Sequence, residues 1–178
     1  MCLASASRVS ARWPLAVPID ERALACAAMK LDQKGRFAPP PRLPKHAQTV
    51  SEALATWPGV IARTHWFLGD ETVVDGADFY VGQSELGHLH LDGTAHVAVT
   101  RPLRDALVEA KLAKPFRWSD AFVVHAIRSS SEAARALRLF RLSYERVEGV
   151  RLATLLTQAR SPETFWSLES DALSSAAS

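Results

Sequence analysis

Scarce cysteine and the lack of a long apolar run limit the classes open to this sequence of 178 residues. Its two cysteines, Cys2 and Cys26, lie near the N-terminus in no ligand-spaced motif, so we expect neither a disulfide framework nor a cysteine metal site. No apolar stretch reaches the roughly 20 residues that a helix needs to cross a bilayer, so no membrane partner is expected. The default prediction is therefore a protein of the reducing cytoplasm.

Neither sign of charge dominates the chain, which carries 21 basic and 19 acidic residues. A nucleic-acid partner is not expected, because nucleic-acid-binding domains usually show a basic patch on one face. Nucleotide-binding glycine motifs and a GxSxG nucleophile motif are also missing from the sequence. What is present is an ordinary globular composition, 48% hydrophobic and 22% charged, which predicts a buried core.

The first 45 residues are predicted to form an N-terminal arm outside the main domain. Asp20 is placed to cap a helix that runs to about Lys34, where Gly35 would stop it. Four prolines between positions 37 and 44 then indicate an extended linker. We therefore expect the arm to be one helix followed by a proline-rich spacer.

Residues 46–150 are predicted to form an α+β domain, and residues 151–178 a C-terminal helical extension. Short connections between consecutive strands favour an antiparallel sheet of about four strands, with helices packed mainly on one face. Turns are expected at Gly69-Asp70 and Asp75-Gly76, and breaks or bulges near Gly82 and Gly87. Helices are expected after Thr49, Thr100 and Ser129. Strand-like composition marks residues 60–67, 72–74, 79–91, 94–99 and 121–127.

The stretch from Glu85 to His96 holds three histidines around an Asp-Gly pair that is typical of a hairpin turn. A two-residue loop would place His96 on the face opposite His88 and His90. A three-residue loop, with Gly93 left-handed, sets His88 opposite His96 and alone separates a polar face from an apolar face. We therefore predict the three-residue loop. It gives a polar face of His88, His90, Thr94 and His96, and an apolar face of Leu89, Ala95, Val97 and Val99.

Three interpretations of the histidine face stay open on the residues alone. It is a solvated polar face of a sheet, a metal site that Glu85 or His125 could join, or a site of acid–base or oxygen chemistry. His46 and His65 stand isolated in the sequence. Arg117 beside Trp118 could bind an anionic or aromatic substrate, with surface exposure as the simpler alternative.

Four segments carry a resemblance to a known family: residues 85–90, Asp92-Gly93, residues 101–108 and residues 138–145. With them the region from about Thr49 to Arg146 resembles the luciferase-domain family, which includes the fungal luciferases. The resemblance implies oxidation of a hydroxylated pyrone by molecular oxygen without a cofactor. Residues 115–122 depart from the family by lacking its Gly-Trp pair, which leaves the substrate open.

The family positions Glu85, His88 and His90 match in this sequence, and Asp92 matches less closely. The leading prediction is an oxygenase for a small enolic or aromatic metabolite, with a histidine base, molecular oxygen as partner, and no cofactor. The alternative is a non-catalytic module that binds a small ligand or a metal at the histidine cluster. Predicted catalytic residues are His88, His90, Glu85 and His96, and predicted substrate-binding residues are Asp92, Arg117, Trp118 and His125.

Overall fold

A six-stranded antiparallel sheet is the centre of the computed structural model, which describes residues 28–68, 70–161 and 165. The strands lie in the order β1-β2-β3-β4-β6-β5. Their bounds are β1 Val60–Phe67, β2 Asp70–Val81, β3 Ser84–His90, β4 Thr94–Ala98, β5 Lys114–Pro115 and β6 Phe122–Ala126. The helices are α1 Lys45–Ala55, α2 Arg101–Glu109, α3 Ser130–Val147 and α4 Leu152–Arg160.

The predicted α+β class is confirmed, but the sheet has six strands where about four were expected. The prediction of a turn at Asp75-Gly76 is wrong, because strand β2 continues through these two residues. A Cβ on Gly76 would collide with the Leu89 carbonyl, so this glycine permits a close approach of β3. The run from residue 79 to 91 is divided at Gly82, as predicted; this glycine has φ +55° in the turn between β2 and β3.

The part of the N-terminal arm that the structure describes is not α-helical. Only a 3-10 turn forms, at Leu31–Gln33, and the proposed helix start at Asp20 lies outside the described residues. The backbone N–H groups of Leu31 and Asp32 donate to the backbone and side chain of Gln83 in the turn between β2 and β3. These long-range hydrogen bonds take the place of helical hydrogen bonds, and the local sequence does not predict them.

One helix boundary also differs from the prediction. Helix α1 begins at Lys45, ahead of Thr49, with Pro44 at the N-cap position. The Gln48 side chain accepts a hydrogen bond from the Leu43 N–H and so ties the preceding segment to the first turns. Helix α2 ends at Glu109, where Lys111, with φ 57°, turns the chain toward β5.

One face of the sheet packs against helices, as predicted. Phe79 of β2 and Phe140 of α3 have ring centroids 5.9 Å apart, and the apolar stripe of α3 continues through buried Ala133 and Tyr144. Within the described part of the chain, no helix combines the length and apolarity that a bilayer crossing needs. The opposite face of the sheet carries the histidines.

Candidate functional site

The hairpin between β3 and β4 has the predicted three-residue loop. His88 pairs with His96 and Leu89 with Ala95 across the two strands. Gly93 has φ +83°, and its N–H donates to the His90 carbonyl at 3.0 Å. This register puts the three imidazoles on one face of the sheet.

The three imidazoles form one hydrogen-bonded set. Nε2 of His88 lies 3.0 Å from Nδ1 of His96, and Nε2 of His90 lies 3.2 Å from the same nitrogen. The three rings are 70–81° apart in plane, with centroids 4.5–5.0 Å apart. Both neighbours of His96 therefore direct the same kind of nitrogen toward one point.

A carboxylate orients each ring of β3 from its far side. Nδ1 of His88 lies 2.8 Å from Oε1 of Glu85, and Nδ1 of His90 lies 3.0 Å from Oδ2 of Asp75. Glu85 and His88 are three apart in a strand, a spacing that normally places side chains on opposite faces. The register shifts beside Gly87, where Leu86 is the extra residue, and this bulge returns Glu85 to the histidine face.

His65 belongs to the same cluster, which corrects its interpretation as an isolated histidine. Its ring stacks on His88 with centroids 4.2 Å apart and planes 7° apart. Its Nδ1 lies 2.7 Å from Oδ1 of the fully buried Asp78, and Nζ of Lys34 lies 3.2 Å from the same oxygen. Asp75, Asp78 and Lys34 are thus site residues that the sequence did not reveal.

The alternation of side chains between the two faces of a strand is the sequence signal that could have identified His65 and Asp78 as site residues. In the β1–β2 register Arg63 faces Asp78, and Asp78 in turn faces His88. Since His65 lies two residues from Arg63, it shares this face. The signal depends on knowing how β1 pairs with β2.

Burial controls the protonation of the cluster. Removal from water lowers the pKa of His88 well below its usual value, lowers that of His90, and lowers that of His96 to about 4; neighbouring imidazoles add to the effect on all three. Burial raises the pKa of Glu85. The three rings are therefore neutral at pH 7 and present lone pairs.

The four remaining predicted site residues are Arg117, Trp118, Asp92 and His125, and they lie in three different parts of the structure. Arg117 lies 4.2 Å over the Trp118 ring, and Phe116 joins Trp118 to His96 with centroid distances of 5.4 and 4.6 Å. Phe116 is thus a contact of the cluster that the sequence interpretation missed. Asp92 lies in the hairpin loop.

Asp92 and His125 are held by contacts outside the cluster. Oδ1 of Asp92 accepts a hydrogen bond from the Thr94 N–H at 2.8 Å. His125 pairs with Ala95, so it lies on the helix-packed face, where its Nε2 donates to the Glu132 carbonyl at 3.1 Å. The structure therefore does not bring His125 to the other histidines.

Two groups of side chains in the described residues place ligand-type atoms within 4.8 Å of one another. They are His65 with His88 and His90, and Asp78 with Glu85 and His88. Both groups share His88.

Comparison with known proteins supports the resemblance that the sequence suggested. The family model described as Luciferase domain matches residues 83–143, a narrower region than the predicted 49–146. No curated protein and no solved structure matches the chain. The matched residues include β3, β4 and the three histidines of the hairpin. Residues 83–143 thus match the luciferase-domain family.

Proposed function

We propose that this chain is an oxygenase that oxidises a small enolic or aromatic metabolite with molecular oxygen at its histidine face. The observation that carries the proposal is the set of neutral imidazoles of His88, His90 and His96, in which the buried Glu85 orients His88 and the half-buried Asp75 orients His90. A neutral imidazole accepts a substrate proton through its unprotonated nitrogen. The family match supports a luciferase-like protein.

The reaction needs no external reductant. An imidazole nitrogen accepts the acidic proton of the substrate, which leaves an enolate. The enolate carbon gives its electron pair to oxygen, a C–O bond forms, and the proton returns to the distal oxygen atom. Substrate and oxygen together make a hydroperoxide, so atoms and electrons balance.

The aromatic side chains beside His96 favour a flat substrate. Phe116 contacts the His96 ring, and Trp118, which is 45% exposed, extends this surface toward solvent. Rings of this kind stack on planar ligands. The guanidinium of Arg117, over Trp118, would stabilise the negative charge of an enolate.

Oxygen uptake tests this proposal. Purified protein receives a 3-hydroxylated styrylpyrone, and oxygen consumption is recorded together with photon emission. We expect uptake by the wild type and a loss of about 100-fold or more in His88→Ala and His90→Ala, the range that one acid–base group supplies. His46→Ala, which alters a histidine of α1, is the matched control and should retain uptake. Full turnover in both β3 variants would overturn the assignment.

A non-catalytic binding module is the second candidate. The orienting contacts of Glu85 and Asp75 favour it, because they pre-organise the rings for any ligand. It predicts that the pyrone raises the Tm while oxygen uptake stays at background.

A further inference from the structure

The imidazoles of the hairpin contain more acceptor nitrogens than the described groups can satisfy. Nδ1 of His88 and of His90 faces a carboxyl oxygen, so each ring donates there and keeps a lone pair on Nε2. Both lone pairs point at Nδ1 of His96, at 3.0 and 3.2 Å. A single N–H on that atom cannot fully serve two acceptors. A cation at this point would satisfy all three nitrogens at once.

The spacing of the rings matches three ligands on one side of an ion. A metal-bound imidazole nitrogen lies about 2.1 Å from the ion, which puts the ring centroid about 3.2 Å from it. If the directions from the ion to the three rings are 90° apart, the ring centroids lie about 4.6 Å from one another by the same geometry. The ring centroids of His88, His90 and His96 lie 4.5–5.0 Å apart.

His65 does not complete this set, although its ligand atoms lie within 4.8 Å of those of His88 and His90. An ion must lie near the plane of each imidazole that binds it through a lone pair. The rings of His65 and His88 are stacked 4.2 Å apart and only 7° from parallel, so one ion cannot lie in both planes. His65 therefore remains outside the ligand set.

We propose that Nε2 of His88, Nε2 of His90 and Nδ1 of His96 bind one divalent first-row transition-metal ion. Three neutral imidazoles are a ligand set suited to zinc, iron, cobalt, nickel or copper. Glu85 and Asp75 are positioning residues, since a carboxyl that accepts the far N–H of a ligating imidazole fixes its tautomer and orientation.

This inference rests on the proposed function in treating the cluster as the reacting site, and it changes one role there. With three rings bound to an ion, none of them keeps the lone pair that would accept the proton, and His65 is the imidazole of the cluster that lies outside the ligand set. Its Nδ1 donates to Asp78, so its Nε2 carries the lone pair. Three imidazole ligands would leave further coordination positions of the ion open to water or an enolate oxygen.

Cobalt titration of the full chain after chelator dialysis tests the inference. Visible absorption and calorimetry should show one Co²⁺ per chain, and the Tm should rise with added metal. His96→Gln should weaken binding at least 100-fold. Asp75→Asn, which keeps the shape of the positioning side chain, should weaken it about 10- to 100-fold. Circular dichroism checks that each variant is folded.

Two control variants separate this ligand set from its neighbours. His125→Gln, on the opposite face, should bind Co²⁺ as the wild type does, and His65→Gln should change the affinity less than threefold. Absence of stoichiometric binding by the wild type would overturn the inference. So would a loss in His65→Gln as large as that in His96→Gln.

Measuring oxygen uptake together with Co²⁺ binding distinguishes a failure of the ion site from a failure of the proposed oxygenase function. Stoichiometric Co²⁺ binding without uptake by any metal-loaded form supports the ion site and counts against the oxygenase. Uptake by metal-free protein that binds no Co²⁺ overturns the ion site and supports the oxygenase.

Discussion

His88 and His96 lie directly opposite each other on β3 and β4, with Nε2 of His88 3.0 Å from Nδ1 of His96. This relationship depends on an odd-length hairpin loop, since a shift of one residue would send His96 to the helix-packed face. The bulge at Leu86 is equally necessary, because it alone brings Glu85 onto the face of His88. Loop and bulge together assemble the cluster.

Gly87→Ala tests the bulge. Gly87 has φ +145°, and a Cβ there would collide with the His96 carbonyl and lie 2.9 Å from the Phe140 ring. We expect a loss of roughly 3 kcal/mol in the free energy of unfolding, from backbone strain and overpacking. Urea denaturation measures it.

Gly82→Ala is the matched control for that variant. Gly82 also has positive φ, at +55°, but a Cβ there would meet nothing within 4 Å. Only the backbone conformation is penalised, so the expected loss is about 1 kcal/mol. Equal losses in the two variants would mean that the close contact at Gly87 does not matter.

Asp92 is expected to stabilise the hairpin loop. Asp92→Ala removes the acceptor for the Thr94 N–H and should lower the free energy of unfolding by about 1 kcal/mol. Asp92→Asn keeps a side-chain oxygen and should retain most of this stability. The predicted substrate contact of Asp92 is tested by the KM of the asparagine variant. An unchanged KM would limit Asp92 to the loop.

The N-terminus of α3 should be sensitive to its cap, whereas that of α2 should not. Oγ of Ser129 accepts a hydrogen bond from the Glu132 N–H at 3.2 Å, so Ser129→Ala should cost about 1 kcal/mol. Thr100 makes no side-chain capping bond, and its buried Oγ1 has no partner among the described residues. Thr100→Val should therefore be close to neutral in urea denaturation. The reverse order would contradict both assignments.

His125 should make stability depend on pH. Burial lowers its pKa, against the opposing effects of the Glu132 carbonyl and carboxylate, while Arg135 lowers it further. The unfolded chain then binds more protons, so this contribution is complete above the unfolded pKa of about 6.5 and is lost as pH falls toward the folded value. His125→Gln should lose less stability than the wild type between pH 7 and pH 5. An identical loss would refute this.

Local pattern predicted the parts of the site that lie within one hairpin. The alternation of polar and apolar residues around Asp92-Gly93 was enough to derive the register of His88 against His96. Asp75 was missed because glycine beside aspartate also signals a turn. Gly76 serves instead as a point of close strand approach.

Long-range pairing accounts for the other differences. His65 and Asp78 join the cluster through the β1–β2 register, which is shifted twice near Trp66 and is not specified by local sequence. The arm forms no α-helix at residues 28–34, since its N–H groups bond to Gln83, about fifty residues further along the chain.

The measurement that tests the central claim most directly is a long-range ¹H–¹⁵N correlation spectrum of the histidine side chains in metal-free protein at pH 7. It reports which ring nitrogen carries the proton. We predict neutral rings for His88 and His90 with protonated Nδ1, donating to Glu85 and Asp75, and bare Nε2 directed at His96. Imidazolium rings, or protonated Nε2 on both residues, would contradict the convergence of lone pairs on which the account depends.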